Sequence, residues 1–482
     1  MRLKAIVILA SLIVLCSFMT QRLQGDCLNL PSTPYNYSNI IFPSDIVNNL
    51  SEMDNMPANN RTTDEGATLG RVLFYDVELS KNRKISCASC HQQQFAFTDT
   101  ARFSVGFDGQ LTHRNSMSLA HARFQKDSAF FWDNRARTLE IQTLMPIQSN
   151  VEMGLTLDTL VARVTAKSYY APLFRAAFGS TTVTSLRISQ ALAQFIRSMN
   201  TFGSRYRIGV NTTNGNPSIV PLVNLTAEEN LGKDLFMDER RGNCQACHTR
   251  NIFVPQGSKN IGLDLVYADN GVGAAFNISR KNGEFSVPSL INVVMTAPYM
   301  HDGRYKTLEQ VVNFYSDSIK PHPNLDGFLR EILPGTIDPN NNTCDTCPPR
   351  IIRYTETEKR ALVAFLRTMT DTLLTTDARW SDPFCTPSSN PQLEPILGWG
   401  IYPSPLKREA TLTIKLIAGQ SFPAGISIYS SEGRLLFHRN YSMRAGSNFM
   451  SVPNLFHTTG TYLVQVTRGS KPVGAKQLLV ID

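Results

Sequence analysis

The chain has 482 residues, of which 42% are hydrophobic and 18% charged. That globular composition excludes a wholly disordered or collagen-like chain and suggests roughly three domains. Lys and Arg number 47 against 39 Asp and Glu, a net charge of +8, but no long basic run carries the excess and nothing predicts nucleic-acid binding.

At the N-terminus, Arg2 and Lys4 precede the apolar run Ala5 to Leu15, and polar residues follow from Thr20. A basic start, short apolar core and polar exit predict a secretory signal peptide over residues 1–25, cleaved near Gly25. The run is short for a bilayer span, and no later segment is long and apolar enough for one. Leu15 is bulky where a lipoprotein anchor at Cys16 would want a small residue. Of the nine cysteines, Cys16 leaves with the signal peptide and four sit in the paired motifs below. Cys27, Cys344, Cys347 and Cys385 remain. In an oxidising compartment they suggest two disulfides with three possible pairings, one of which joins Cys344 to Cys347.

A repeat follows. Leu69-Gly70-Arg71-Val72-Leu73-Phe74-Tyr75-Asp76 precedes Cys87-Ala88-Ser89-Cys90-His91. Leu231-Gly232-Lys233-Asp234-Leu235-Phe236-Met237-Asp238 precedes Cys244-Gln245-Ala246-Cys247-His248. Each copy predicts a helix leading into a loop that carries Cys and His, so the chain reads as a duplication, with one domain over residues 26–215 and another over 216–385. Ile188, Leu192, Phe195 and Ile196 form a helical core stripe, and Ala361, Leu362, Phe365, Leu366 and Met369 form another. Thr226 with Glu229 and Thr355 with Glu358 predict capping boxes. This region is expected to be mainly α.

Thr386 to Pro395, broken by Pro387, Ser388, Ser389 and Pro391, reads as a linker, taken over residues 386–399. Beyond it the pattern alternates with period two: Thr411 to Leu416, Gly425 to Tyr429, a turn at Ser431 to Arg434, Gly460 to Val466, and Gln477 to Val480. Residues 400–482 therefore predict a small all-β sandwich.

C-x-x-C-H is the attachment motif of haem c. Two thiols form thioether links to the porphyrin and the adjacent His is held as proximal iron ligand. One copy alone could be a zinc or dithiol site. Two copies in a duplicated frame behind a signal peptide predict two covalent haem c groups, held by Cys87, Cys90 and His91 and by Cys244, Cys247 and His248.

Residues of about 60 to 375 resemble the bacterial di-haem cytochrome c peroxidase family, which includes MauG. The resemblance lies in the first Cys/His motif, Phe131-Trp132-Asp133-Asn134-Arg135, Pro146-Ile147 with Val151-Glu152-Met153, Val287-Pro288-Ser289-Leu290, and Thr296-Ala297-Pro298-Tyr299-Met300-His301-Asp302-Gly303. It implies two cytochrome c-like haem domains in tandem, the first peroxidatic and the second relaying electrons. It also implies roles for single residues. Trp132 is the relay between the haems, Glu152 the distal carboxylate that moves a proton during peroxide cleavage, and Gln142 a distal amide. Asn115 with the carbonyls of Thr296 and Pro298 is a calcium site, which suits a hard cation. Two positions depart from the commonest pattern. Phe107 stands where many members carry a displaceable His, which implies an open first iron, with His113 near enough in sequence to swing in. Tyr315 stands where typical members carry a ligand Met, and a phenolate favours ferric iron.

Residues of about 400 to 482 resemble the type IX secretion sorting domain, through Ile401-Tyr402-Pro403-Ser404-Pro405, Ile428-Tyr429 with Gly433-Arg434, and Gly460-Thr461-Tyr462-Leu463, with Ser404 where Asn is usual. A carbohydrate-binding or spacer sandwich is the alternative. Together the resemblances imply an exported cytochrome-c peroxidase-type oxidoreductase, in the periplasm and then at the cell surface or outside the cell. Its partners would be hydrogen peroxide, a small redox protein (a cytochrome c or cupredoxin) or other electron donor, and the secretion machinery. A second reading is a MauG-like oxidase acting on a protein or organic substrate. A third, of another class, is a di-haem electron carrier without peroxide chemistry, against which Glu152 and an open first iron argue.

Overall fold

The computed structural model describes residues 27–48, 54–125, 130–248, 253, 257–331, 344, 346–385 and, with short breaks, 396–482. The expected signal peptide and residues 386–395 of the expected linker lie outside them. The chain divides into a unit ending at residue 386 and a second beginning at 387. Among the described residues no helix is long and apolar enough to cross a membrane.

The first unit is helical and irregular, and its main helices are α1 (Asp64–Tyr75), α2 (Leu139–Gln148), α3 (Ser185–Arg197), α4 (Ala227–Met237), α5 (Leu308–Asp317) and α6 (Glu356–Arg367). Their starts follow from local chemistry. Thr63, Thr138 and Thr184 accept hydrogen bonds from the first-turn backbone of α1, α2 and α3. Complete capping boxes form at Thr226/Glu229, Thr307/Gln310 and Thr355/Glu358. Each satisfies donors that a helix start leaves unpaired.

Two cores result, built alike. In one, α1 packs on α3 around Leu69, Leu73, Phe74, Leu192 and Phe195; in the other, α4 packs on α6 around Leu235, Phe236, Leu362 and Phe365. The helices approach through a glycine in each pair. A Cβ on Gly70 would lie 2.0 Å from the Ala191 carbonyl oxygen, and one on Gly232 would lie 1.9 Å from that of Ala361. Each fully buried Leu or Phe in these interfaces contributes about 1.5–3 kcal/mol. The chain then returns: Leu374, Trp380 and Phe384, late in sequence, pack into the first core. Disulfides join Cys27 to Cys385 and Cys344 to Cys347. Beside the first, the Asn29 amide donates to the Pro383 carbonyl at 2.7 Å and Cys385 to the Cys27 carbonyl at 2.9 Å.

The described residues of the second unit form eight strands: β1 (Ile396–Tyr402), β2 (Leu406–Lys407), β3 (Leu412–Ala418), β4 (Phe422–Tyr429), β5 (Leu435–Met443), β6 (Gly446–Val452), β7 (Gly460–Arg468) and β8 (Lys471–Ile481). They form a five-stranded sheet in the order β2-β8-β7-β4-β5 and a three-stranded sheet in the order β1-β3-β6, antiparallel except for β2 beside β8. The period-two signal appears directly: Leu412, Ile414, Leu416 and Ala418 are buried and the residues between them are not. Both sheets feed one core with Ile426, Ile428, Met450, Val452, Val464 and Val466, which makes a sandwich. The first strand begins at Ile396, inside the segment read as linker, because residues 396–402 pair with residues 413–418. Residues 431–433 of the expected turn lie outside the described residues, although the Ser430 amide donates to the Arg434 carbonyl across them at 2.9 Å.

Candidate functional site

The two C-x-x-C-H segments adopt the same tight turn. The His91 amide closes on the Cys87 carbonyl and the His248 amide on the Cys244 carbonyl, each at 2.9 Å. That winding gathers two sulfurs and an imidazole within five residues. All four thiols are free, whereas Cys344 and Cys347, at the same spacing but followed by proline, are bonded to each other. Burial pushes the Cys87 and Cys244 thiols up to about 12 and those of Cys90 and Cys247 to about 11. Burial also lowers His91, and it pushes His248 down to about 4. Both imidazoles are therefore neutral, the form that ligates metal. The left-handed residues Ala96 and Phe97 turn the chain back so that the Phe97 carbonyl meets His91 Nδ1 at 2.9 Å. Nε2 of His91 is left to bind iron.

Glu152 belongs to the first motif's surroundings. It is half-buried, and the loss of water around its carboxyl raises its pKa against the opposing effects of Ser149 and Arg135. Its charge is felt by the thiols of both Cys87 and Cys90. The turn carrying it is clamped from the other side by the loop of residues 104–112. The Phe107 amide donates to the Glu152 carbonyl at 3.0 Å, and the Lys81 amide to the Met153 carbonyl at 2.7 Å. The Phe107 ring lies where a side chain on Gly154 would be, 2.5 Å from its missing Cβ. Gly154 itself has a φ of +70°, which glycine adopts without strain. Gln142 lies on α2, half-buried, and its amide forms no hydrogen bond with a described residue. Pro146 has no N–H to offer the Gln142 carbonyl, so that carbonyl lacks its helical hydrogen bond although the helix runs on to Gln148.

The second motif opens on a largely apolar cavity of about 1530 Å³, mouth included, lined by Cys244, Cys247, His248, Tyr315, Trp132 and His301 among others. Lys259 and Arg350 bring positive charge to its wall, a match for the carboxylates of a haem. Tyr315, on α5, is half-buried, and loss of water beside Cys244 and Cys247 drives its phenol far above the usual range. It is neutral unless a cation such as ferric iron compensates its charge. His248 Nδ1 is buried without a well-formed hydrogen bond, although the Pro288 carbonyl lies toward it. Free thiols, a neutral imidazole, an apolar slot and two cations fit a covalently attached haem. Among the described residues no three His, Cys, Asp or Glu side chains gather to hold a bare metal ion.

Trp132 lies against this cavity from the first motif's side of the chain. Left-handed Phe131 and Asn134 bend the chain around it, and Arg114 fixes the bend through Asp133 at 2.5 Å and Asp269 at 2.7 Å. Trp132 Nε1–H donates to the Asn115 carbonyl at 2.8 Å. The Asn115 amide in turn donates to the His301 carbonyl at 2.8 Å, and its side-chain nitrogen donates to the carbonyls of Ala101 and Arg102. Asn115 is thereby tied to the loop that carries Thr296 and Pro298. Sequence reasoning quoted His301 within a motif and gave it no part. Its ring stacks on Phe285 with centroids 3.6 Å apart, stands 6.5 Å edge-on to Trp132, and is pushed down to about 4 by burial. It is a neutral aromatic wall of the cavity.

The comparisons agree with this geometry. The profile of the "Di-haem cytochrome c peroxidase" family matches residues 64–212 and 226–335, and that of the "Secretion system C-terminal sorting domain" matches residues 400–481. Methylamine utilization protein MauG of Methylorubrum extorquens is 31% identical over 321 residues, 65% of this chain and 80% of that protein. Cytochrome c551 peroxidase of Nitrosomonas europaea is 32% identical over 250 residues, 51% of this chain and 71% of that protein. Among solved structures, a MauG-like protein associated with microbial copper homeostasis superposes with a TM-score of 0.60 at 30% identity, covering 72% of this chain and 99% of its own. The diheme peroxidase BthA of Burkholderia thailandensis, at 24% identity and a TM-score of 0.53 over 67% of this chain and 91% of its own, shares the fold. With two C-x-x-C-H turns on two like cores and a terminal β-sandwich, the chain belongs to the di-haem cytochrome c peroxidase family and carries a secretion sorting domain at its C-terminal end.

Proposed function

We propose that the protein is an exported di-haem c peroxidase that reduces hydrogen peroxide at the site of Cys87, Cys90 and His91. The observation that carries this reading is Glu152, a half-buried carboxyl with a raised pKa near enough for its charge to act on both thiols of that motif. Haem c supplies a redox-active iron that accepts peroxide and passes electrons. The chain's own residues supply the rest. His91 is held with Nε2 toward the iron by the bond from Nδ1 to Phe97. The Glu152 carboxylate would take the proton of one peroxide oxygen and return it to the other, which leaves as the first water; two electrons supplied through the haems and two protons from solvent would convert the remaining oxygen to the second water. Phe107, hydrogen-bonded to the Glu152 backbone, has no atom that ligates iron, so this position would leave the iron open to peroxide in the fully oxidised protein. Gln142 would be the amide that steadies the bound peroxide. Trp132, beside the second cavity, carries electrons from the His248 site. The donor is a small redox protein or another reductant.

One equivalent of peroxide added to the fully oxidised, haem-loaded protein is expected to change its absorbance within the mixing time of a stopped-flow instrument. Glu152→Gln is expected to slow that change about 100-fold or more. A mutant as fast as the parent removes Glu152 from the mechanism, and silence in both oxidised and half-reduced protein favours the electron carrier.

Tyr315 favours a second reading. A phenolate at the second iron makes that haem a poor acceptor from a high-potential donor and suits an oxidase acting on a protein or organic substrate, the reaction class of MauG. Tyr315→Phe is expected to change the absorption spectrum of the second haem alone, and an identical spectrum excludes Tyr315 as a ligand.

The sorting domain supports export through the type IX machinery, with removal of that domain on the way to the surface. Deleting residues 400–482 is expected to leave the haem protein in the periplasm. Surface or medium fractions that still contain it overturn this route.

A further inference from the structure

The two motif histidines are held differently: His91 Nδ1 has a carbonyl and a hydroxyl beside it, and among the described residues His248 Nδ1 has neither in good geometry. His91 Nδ1 lies 2.9 Å from the Phe97 carbonyl and 3.3 Å from Ser116 Oγ. With Nε2 committed to iron, Nδ1 carries the proton and donates. Ser116 gives its own hydrogen to the Cys90 carbonyl at 2.9 Å, so its lone pairs are free to accept from His91. Among the described residues His248 has no equivalent partner in good geometry. Ser116 is also fixed in place. Thr98 donates to its carbonyl. Its neighbour Asn115 is pinned at both ends of its peptide, by Trp132 Nε1–H and by the His301 carbonyl. A histidine ligand whose second nitrogen shares its proton with an acceptor donates more strongly to the metal, and such outer partners typically change metal affinity or activity by about 10–100-fold.

We propose that Ser116 is a positioning residue that shares the Nδ1 proton of His91 and thereby stabilises the ferric state of the first haem relative to the second. The inference rests on His91 as proximal ligand and is independent of the peroxide reaction.

Ser116→Thr and Ser116→Val have nearly equal volume and differ in the hydroxyl. The haem-loaded full chain of each is titrated anaerobically, without peroxide, and followed by absorbance and by the two ferric EPR signals. Ser116→Val is expected to favour the ferrous first haem by about tenfold, about 59 mV for one electron. The second haem stays unchanged, and Ser116→Thr stays with the parent. The ferrous iron–histidine stretch of the first haem falls in the Val variant alone. Equal midpoints for Thr and Val overturn the proposal, and so does an equal shift of both haems. Ser116→Ala serves in the same titration if the Val variant does not fold. Absence of peroxide turnover in the parent protein, with the Val midpoint shift intact, counts against the peroxidase reading only.

Discussion

Glu152 shows how burial becomes reactivity. A carboxyl held from water resists ionisation, and here burial outweighs the help of Ser149 and Arg135. Its folded pKa is raised, so the carboxylate that accepts a proton is populated only above that raised value. The rate of the peroxide reaction is therefore expected to climb with pH through a point above the ordinary Glu range, and Glu152→Gln is expected to flatten that limb. A parent profile without the limb contradicts the raised carboxyl. The residues that act by identity, the four cysteines and His91 and His248, were legible in the sequence because thioether and imidazole chemistry leave few substitutes at fixed spacing. His301 and Ser116 were not. An imidazole stacked on Phe285 and a hydroxyl 3.3 Å from His91 leave no spacing pattern, because both contacts join segments far apart in the chain.

At the scale of elements, the duplication reaches further than the repeat that revealed it. The lead helices α1 and α4 were visible through Leu-Gly and the shared Leu-Phe-x-Asp ending. Their partners were read only as apolar stripes, a signal any buried helix gives. Contact sorts them. Ala191-Leu192-Ala193-Gln194-Phe195 in α3 and Ala361-Leu362-Val363-Ala364-Phe365 in α6 present the same alanine carbonyl and the same phenylalanine to Gly70 and Gly232. Gly232→Ala would place a methyl group against a backbone oxygen that cannot rotate away. It is expected to cost about 1–3 kcal/mol through overpacking, and Gly70→Ala a similar amount. Thermal unfolding of each variant checks this, and an unchanged Tm denies the close approach. The capping boxes at Thr226 and Thr355 were legible because both partners lie within four residues. The β-sandwich was legible as alternation, while its strand order, set by long-range pairing such as β7 between β4 and β8, was not.

Across the whole chain, the least legible feature was which cysteines meet. Four thiols allowed three pairings, and the choice depends on Phe384 and Trp380 returning to the first core. Their return brings Cys385 to Cys27, 358 residues away in sequence. Constraining so long a loop is worth about 2–5 kcal/mol. Cys27→Ser with Cys385→Ser is expected to lower the denaturant midpoint by that measure. Cys344→Ser with Cys347→Ser, which frees only a four-residue loop, is expected to lower it less. Equal losses would contradict a loop-length origin.

The Cys27–Cys385 bond also turns the haem-bearing part of the chain into a closed ring. A protease that cuts this ring once, at any exposed loop, opens the circle without releasing a fragment. The nicked protein keeps its mass on a non-reducing gel and falls into two pieces only when a reductant is added. Both haem attachment segments lie inside the ring, so a single cut separates neither of them from the other. One covalent link therefore keeps the two haem attachment segments together through a break in the backbone between them.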